Sequence, residues 1–105
     1  MRIKNRGIPA QVAELSEFRT KHQSVFAHNN GDKYVVYSYG YHWPIAVYDR
    51  AARMWYVNDD KYSVTTSRHA SLVRLGVAMH MQRHGESTIR EQSVGQLEIQ
   101  QYING

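Results

Sequence analysis

The segment from Arg68 to His84 constrains this chain more than any other. It contains no proline and stops at Gly85, a residue suited to the left-handed position just past a helix end. At ~100° per residue, Leu72, Leu75 and Met79 form one apolar arc. Ala70, Val73, Val77 and Met81 form a second, on roughly the opposite side. A surface helix needs one apolar face; two demand cover on both sides. A sheet can supply the first cover, and a terminal helix or a second subunit the other. The expectation is a homodimer, with the C-terminal segment as the alternative cover. Gly76 costs about 1 kcal/mol of helix propensity relative to Ala, and its bare backbone would admit a close neighbour.

The remaining pattern is of two kinds. "GIPAQVAELSEFRTKH" reads as a helix, with Pro9 near its first position and a stripe of Val12, Leu15 and Phe18. The period then changes. Asn29, Asn30, Gly31 and Asp32 make a turn between two strand candidates, the second being Lys33 to Tyr39. "PIAVYD" and "MWYVN" follow as further strands, joined by the turn "RAAR". "SVGQLEIQQYI" reads as a last helix, with Ser93 and Gln96 spaced as a capping box and Val94, Leu97 and Tyr102 facing inward. The expected fold is a single α+β domain over residues 1–105. A small antiparallel meander of three to four strands packs on a central helix, with N-terminal and C-terminal helices.

Composition excludes several functions. No cysteine is present, so disulfides, thiolate metal sites and a cysteine nucleophile are ruled out. No apolar run approaches the ~18 residues of a membrane span, and "MRIKNRGIP" has no signal-peptide core. Thirteen Lys and Arg face nine Asp and Glu. That sign of charge disfavours acidic DNA mimicry and suits acidic partners. The excess is uneven, with Arg2, Lys4 and Arg6 at the start and no acid between Lys61 and Gly85.

Three groups of residues could carry chemistry. The first is "KYSVTTSRH". Its hydroxyls precede the central helix, where Thr66 or a neighbour would cap a free backbone N–H. The sharper reading is a phosphate or nucleic-acid contact made by Lys61, Thr66, Ser67 and Arg68 at the helix N-terminus. A glycine-rich loop is absent. His69 is close, but no serine elbow or third group completes a triad. The second is the pair His80 and His84, one helical turn apart. This is a weak metal site because no glutamate follows the first histidine. No cofactor is implied. The third is "YVVYSYGYHW". If it stays extended, Val35, Tyr37, Tyr39 and Tyr41 point one way and Tyr34, Val36 and Ser38 the other. An exposed tyrosine row could stack bases, and Tyr37, Tyr39, Tyr41 and Trp43 could anchor a protein partner. Core packing accounts for the same tyrosines in a chain with only two Phe.

The stretch "YVVYSYG…PIAVYD…WYVNDDKYSVTTSRH" resembles a group of small bacteriophage and prophage proteins that share a "SYG…PIA…KYS-TTS-H" pattern, over about a third of the chain. The resemblance implies a cytoplasmic accessory protein of a bacterial host and no particular activity. With no nucleophile, base and orienting group to assemble, the expectation is a binder and not an enzyme. Its partner would be a host protein or ribonucleoprotein complex, as for an anti-defence, anti-CRISPR-like inhibitor. The alternative is a small basic nucleic-acid-binding accessory using the Tyr-rich sheet and basic helix.

Overall fold

The computed structural model describes residues 2–41, 43–60, 64–85 and 88–104. Among these, seven strands form one mixed sheet in which neighbours in space are neighbours in sequence. The elements in order are β1 (Arg2–Ile3), α1 (Ile8–Ala13), β2 (Phe18–Thr20), β3 (Val25–Asn30), β4 (Lys33–Ser38), β5 (Pro44–Asp49), β6 (Met54–Asn58), α2 (Val64–His84), β7 (Arg90–Val94) and α3 (Gln96–Asn104). Strands β2 to β6 make an antiparallel meander. The two edge pairs, β1 with β2 and β6 with β7, are parallel. Each needs a crossover, supplied by α1 and by α2.

The three-to-four-stranded sheet expected from sequence is therefore too small. Strands β3 to β6 correspond to the four predicted runs. Of the missing three, β1 and β2 lack a readable pattern, and "STIREQ", which overlaps β7, reads equally as a short strand or a loop. β1 and β2 have two and three residues, too few for alternation to show. β7 is exposed along four of its five residues. Backbone pairing to β6 holds it, and its charged side chains protect an open edge.

The first helix is also shorter than predicted. It ends at Ala13; Leu15 takes a left-handed φ of 54°, and Phe18 enters β2. Conversely, α2 begins four residues before Arg68, at Val64. Thr65, Thr66 and Ser67 thus lie inside its first turn, and Thr66 is not the cap. Its C-terminal end agrees with the reading: Gly85 has φ 94°. In α3 the expected capping box is absent because Ser93 is in β7. Asp60, distant in sequence, supplies the cap instead: its Oδ2 accepts the Gln96 N–H at 2.7 Å. That shift of start changes the buried face. Ile99 is fully buried while Leu97 is 85% exposed.

The sheet is covered on both faces. Tyr34, Val36, Tyr48 and Trp55 face α1 and α2, where Ile8, Val12, Val73 and Val77 close the core. Phe26, Val35, Tyr37 and Val47 face α3, packed with Val94 and Ile99. The alternation read from β4 thus holds as far as Ser38.

The second cover of α2 is α1, which packs beside it on the same face. The C-terminal helix lies on the opposite face, so it is not that cover. The contact centres on Gly76. A Cβ built there would fall 2.6 Å from Val12 Cβ and 2.8 Å from the Pro9 carbonyl oxygen. Leu72 and Met79 are half-buried, and Leu75 remains exposed. Gly76→Ala gains about 1 kcal/mol of helix propensity but forces an overlap costing up to about 3 kcal/mol. The expected result is a melting midpoint lower by roughly 10 °C. Adding Val12→Ala should not restore the midpoint, because alanine keeps the Cβ that lies closest and the Pro9 carbonyl is backbone.

Candidate functional site

One end of the sheet gathers most of the residues that sequence singled out. Here β4 turns into β5 through residues 39–43. Tyr39 leaves the strand with a left-handed φ of 56°, followed by Gly40 at 119°. A non-glycine residue in that region is uncommon, and the backbone around it is pinned. The Tyr39 N–H donates to the Ser24 carbonyl at 2.9 Å, and the Ser38 N–H to the Trp43 carbonyl at 3.0 Å.

This bend separates the four aromatic candidates. Tyr37 is core, stacked on Phe26 at 5.2 Å. Tyr39 is 47% exposed and Tyr41 63%. Tyr41 folds back so that its ring edge meets Phe26 and Tyr37, each at 5.0 Å, and its hydroxyl lies 3.3 Å from His28 Nε2. Trp43 turns towards α2. The tyrosines are thus neither one exposed row nor all core.

Trp43 and Ser67 meet in a cleft of about 370 Å³ between the loop and the start of α2, with Asp59, Asp60, Ser71 and Arg74 around them. Its base is Asn58, which is buried. The Asn58 amide donates to the Pro44 carbonyl at 2.9 Å and to Gln96 Oε1 at 2.6 Å, while its Oδ1 accepts the Asp60 N–H. Arg74 donates to the Asn58 carbonyl at 3.4 Å. Arg68 is exposed and lies off the cleft wall. Of the expected phosphate set, Ser67 lines a cleft that also holds two carboxylates, Arg68 is not among its lining residues, and Lys61 and the Thr66 side chain lie outside the described residues.

On the other side of the same loop is a broader cleft of about 770 Å³, lined by Arg2, Lys4, Lys21 and His22. No carboxylate lies among its described lining residues. Ser24, which holds Tyr39, is part of its wall. One signal of this group is visible in the sequence, the basic N-terminus. Its convergence with Lys21 and His22 depends on the parallel pairing of β1 with β2.

The histidines on α2 mainly serve the interior. His69 is 4% exposed, and its Nδ1 is 3.2 Å from Ser38 Oγ. Sequence placed His69 near a different serine group. This Ser–His pair is buried on both sides, Ser38 being 1% exposed, so no substrate reaches the hydroxyl. His80 Nδ1 accepts the Trp55 indole N–H at 3.1 Å. His84 does share its face, with ring centroids 4.6 Å apart. Among the described residues no group of three or more His, Cys, Asp or Glu is placed to hold a metal ion.

The geometry defines a three-layer α+β domain with a structural polar interior, and two exposed tyrosines and one group of basic residues lie at the same end of its sheet. The chain belongs to the family of unknown function DUF8033, whose sequence pattern matches residues 8–92. That span runs from α1 into β7 and includes the tyrosine loop. No curated protein and no solved structure matches the chain. Among the described residues no helix is long and apolar enough to cross a membrane.

Burial, reinforced by His84 and Arg50, lowers the His80 pKa from 6.5 to about 4. Burial lowers His69 in the same direction. Between those limits the unfolded chain binds the proton and the folded chain does not, so folding stability must fall as pH drops from 6.5 to 4. Replacing His80 by Gln keeps an acceptor for Trp55 without the titration. The variant's stability, measured by urea unfolding across that window, should depend less steeply on pH than the wild type's.

Proposed function

We propose that this protein acts by binding a macromolecular partner through the sheet end that carries the 39–43 loop. In the phage-type setting implied by the sequence resemblance, that partner is a host protein complex in the bacterial cytoplasm. The observation that carries the reading is the pair of exposed tyrosines on a pinned, left-handed bend. Tyrosine contributes large contact area at low entropic cost, and a loop already fixed by backbone hydrogen bonds loses little freedom on docking. The cationic cleft beside it would steer an acidic surface towards these anchors. Binding is favoured over catalysis because the Ser38–His69 pair is shut in the core.

Tyr39→Asn together with Tyr41→Ala tests this. Asn tolerates the left-handed backbone, so the fold is kept. The double variant should lose capture of a stoichiometric complex from host lysate by at least about tenfold, given hot-spot losses of ~2 kcal/mol or more. Its melting midpoint should fall by no more than about 10 °C, from the lost ring contacts of Tyr41 with Phe26 and Tyr37, and the protein should remain folded at the assay temperature. Tyr37→Ala is the contrast: it opens the core and should cost about 3 kcal/mol of stability. Equal capture by wild type and double variant would defeat the proposal.

A second reading, a nucleic-acid accessory, is favoured by the carboxylate-free cleft of Arg2, Lys4, Lys21 and His22 next to Tyr39. Cations beside an exposed ring fit a single-stranded backbone with a stacked base. Under this reading labelled single-stranded DNA or RNA binds at low salt and weakens steeply as salt rises. Lys21→Ala should then lower the salt slope by about one. Absence of binding at low salt would remove it.

A further inference from the structure

The opposite end of the sheet holds a third cleft, of about 320 Å³, between the β5–β6 turn and the C-terminal part of α2. Its polar lining is Tyr48, Arg50, Arg53, His80 and His84, with Leu15 and Ile89 as apolar walls. Every polar side chain there can donate a hydrogen bond, and no carboxylate lies among the described lining residues. Asp49, next in the chain, is occupied elsewhere: its Oδ1 accepts the Ala51 and Ala52 N–H groups of the turn.

Two of the donors, Arg50 and His80, are held in place. Arg50 is anchored through Asn29 Oδ1 and the Gly31 carbonyl, which uses only part of its five-donor fork. Arg53 sits at a left-handed φ of 53° in the tight turn. His80 is 3% exposed. Its Nδ1 accepts from Trp55, so the neutral ring carries its proton on Nε2, and that nitrogen makes no second hydrogen bond among the described residues. Among the described residues no buried side-chain donor lacks a partner, so this nitrogen is open to the cleft, where it and two guanidinium groups can donate to an entering acceptor.

We propose that this cleft binds the phosphate group of a small molecule, either a phosphate monoester or free phosphate. Two guanidinium groups match a dianion, and the imidazole N–H groups and the Tyr48 hydroxyl reach its remaining oxygens. A monocarboxylate would use one guanidinium and leave the other unneutralised. The volume suits a compact ligand at the lower end of the usual range for small-molecule sites. The site is separate from the 39–43 loop and does not depend on the macromolecular reading.

The test is a titration of the full chain with inorganic phosphate, a nucleoside monophosphate and acetate, followed by the histidine side-chain nitrogen resonances. Saturable shifts at His80 and His84 with phosphate are expected. Tighter binding of the nucleoside monophosphate identifies a phosphate ester as ligand; equal binding identifies free phosphate. Arg53→Gly suits the left-handed backbone, so it removes a cation while preserving the melting midpoint. It should weaken phosphate binding by about tenfold, the scale of one charge-assisted bidentate contact. The Tyr39→Asn/Tyr41→Ala variant should bind phosphate like the wild type, which keeps this result apart from loss of the macromolecular partner. Acetate binding as tightly as phosphate, no saturable shift at millimolar phosphate, or undiminished binding by Arg53→Gly would overturn the assignment.

Discussion

The contact between Gly76 and α1 is the constraint on which the rest of the molecule depends. With a bare Cα at that position, the Val12 side chain and the Pro9 carbonyl come so close that no methyl group would fit between them. Two helices can then lie side by side on one sheet face. That close seat lets a six-residue helix, too short to be stable alone, bury Ile8 and Val12 completely. It also places β1 at the edge of the sheet, parallel to β2, and so positions Arg2 and Lys4 beside Lys21 and His22.

The same face explains the polar residues on α2. His69, Gly76 and His80 follow one line of the helix, close to Val73 and Val77. The helix does not meet the sheet through hydrocarbon alone. It is fastened by Ser38 at one end and by the Trp55 indole at the other. Trp55 is fully buried, with its ring edge-on to Tyr34 and tilted against Tyr48. An indole N–H in such a site needs an acceptor, and a neutral imidazole provides one without bringing charge into the core. The two fastenings lie beneath the two ends of the domain. One supports Tyr39, whose ring is 5.5 Å from His69; the other supports the arginine-lined cleft.

Legibility from sequence followed element length and range of contact. The meander β3 to β6 was readable because each strand has five or six residues with β-favouring side chains. The end of α2 was readable from Gly85. Gly76 was recognisable as a place for close approach, though not which element approaches. The short strands β1 and β2 and the polar β7 carry no period of their own, since pairing partners across a crossover hold them. Of the candidate site, the tyrosines were visible as a group, but their division into core and surface was not. A bend at Tyr39 takes the chain out of register, and alternation cannot foresee it. The cleft of arginines beside His80 was hidden because "RAAR" reads as ordinary turn chemistry, and His80 lies 27 positions beyond Arg53 in the sequence.

The α+β class, the four central strands, the long helix with its glycine stop and the lack of cysteine chemistry are all legible in the residue pattern. These rest on local propensity, period and composition, each contained in a short window. Tertiary structure alone decided that the sheet has seven strands, that α1 covers the second flank of α2, and that Asp60 caps α3. It also decided which histidine nitrogens are occupied and which basic residues share a cleft. Those outcomes depend on groups far apart in the chain meeting at hydrogen-bond or van der Waals distance. Only the closed packing of the whole domain fixes such distances.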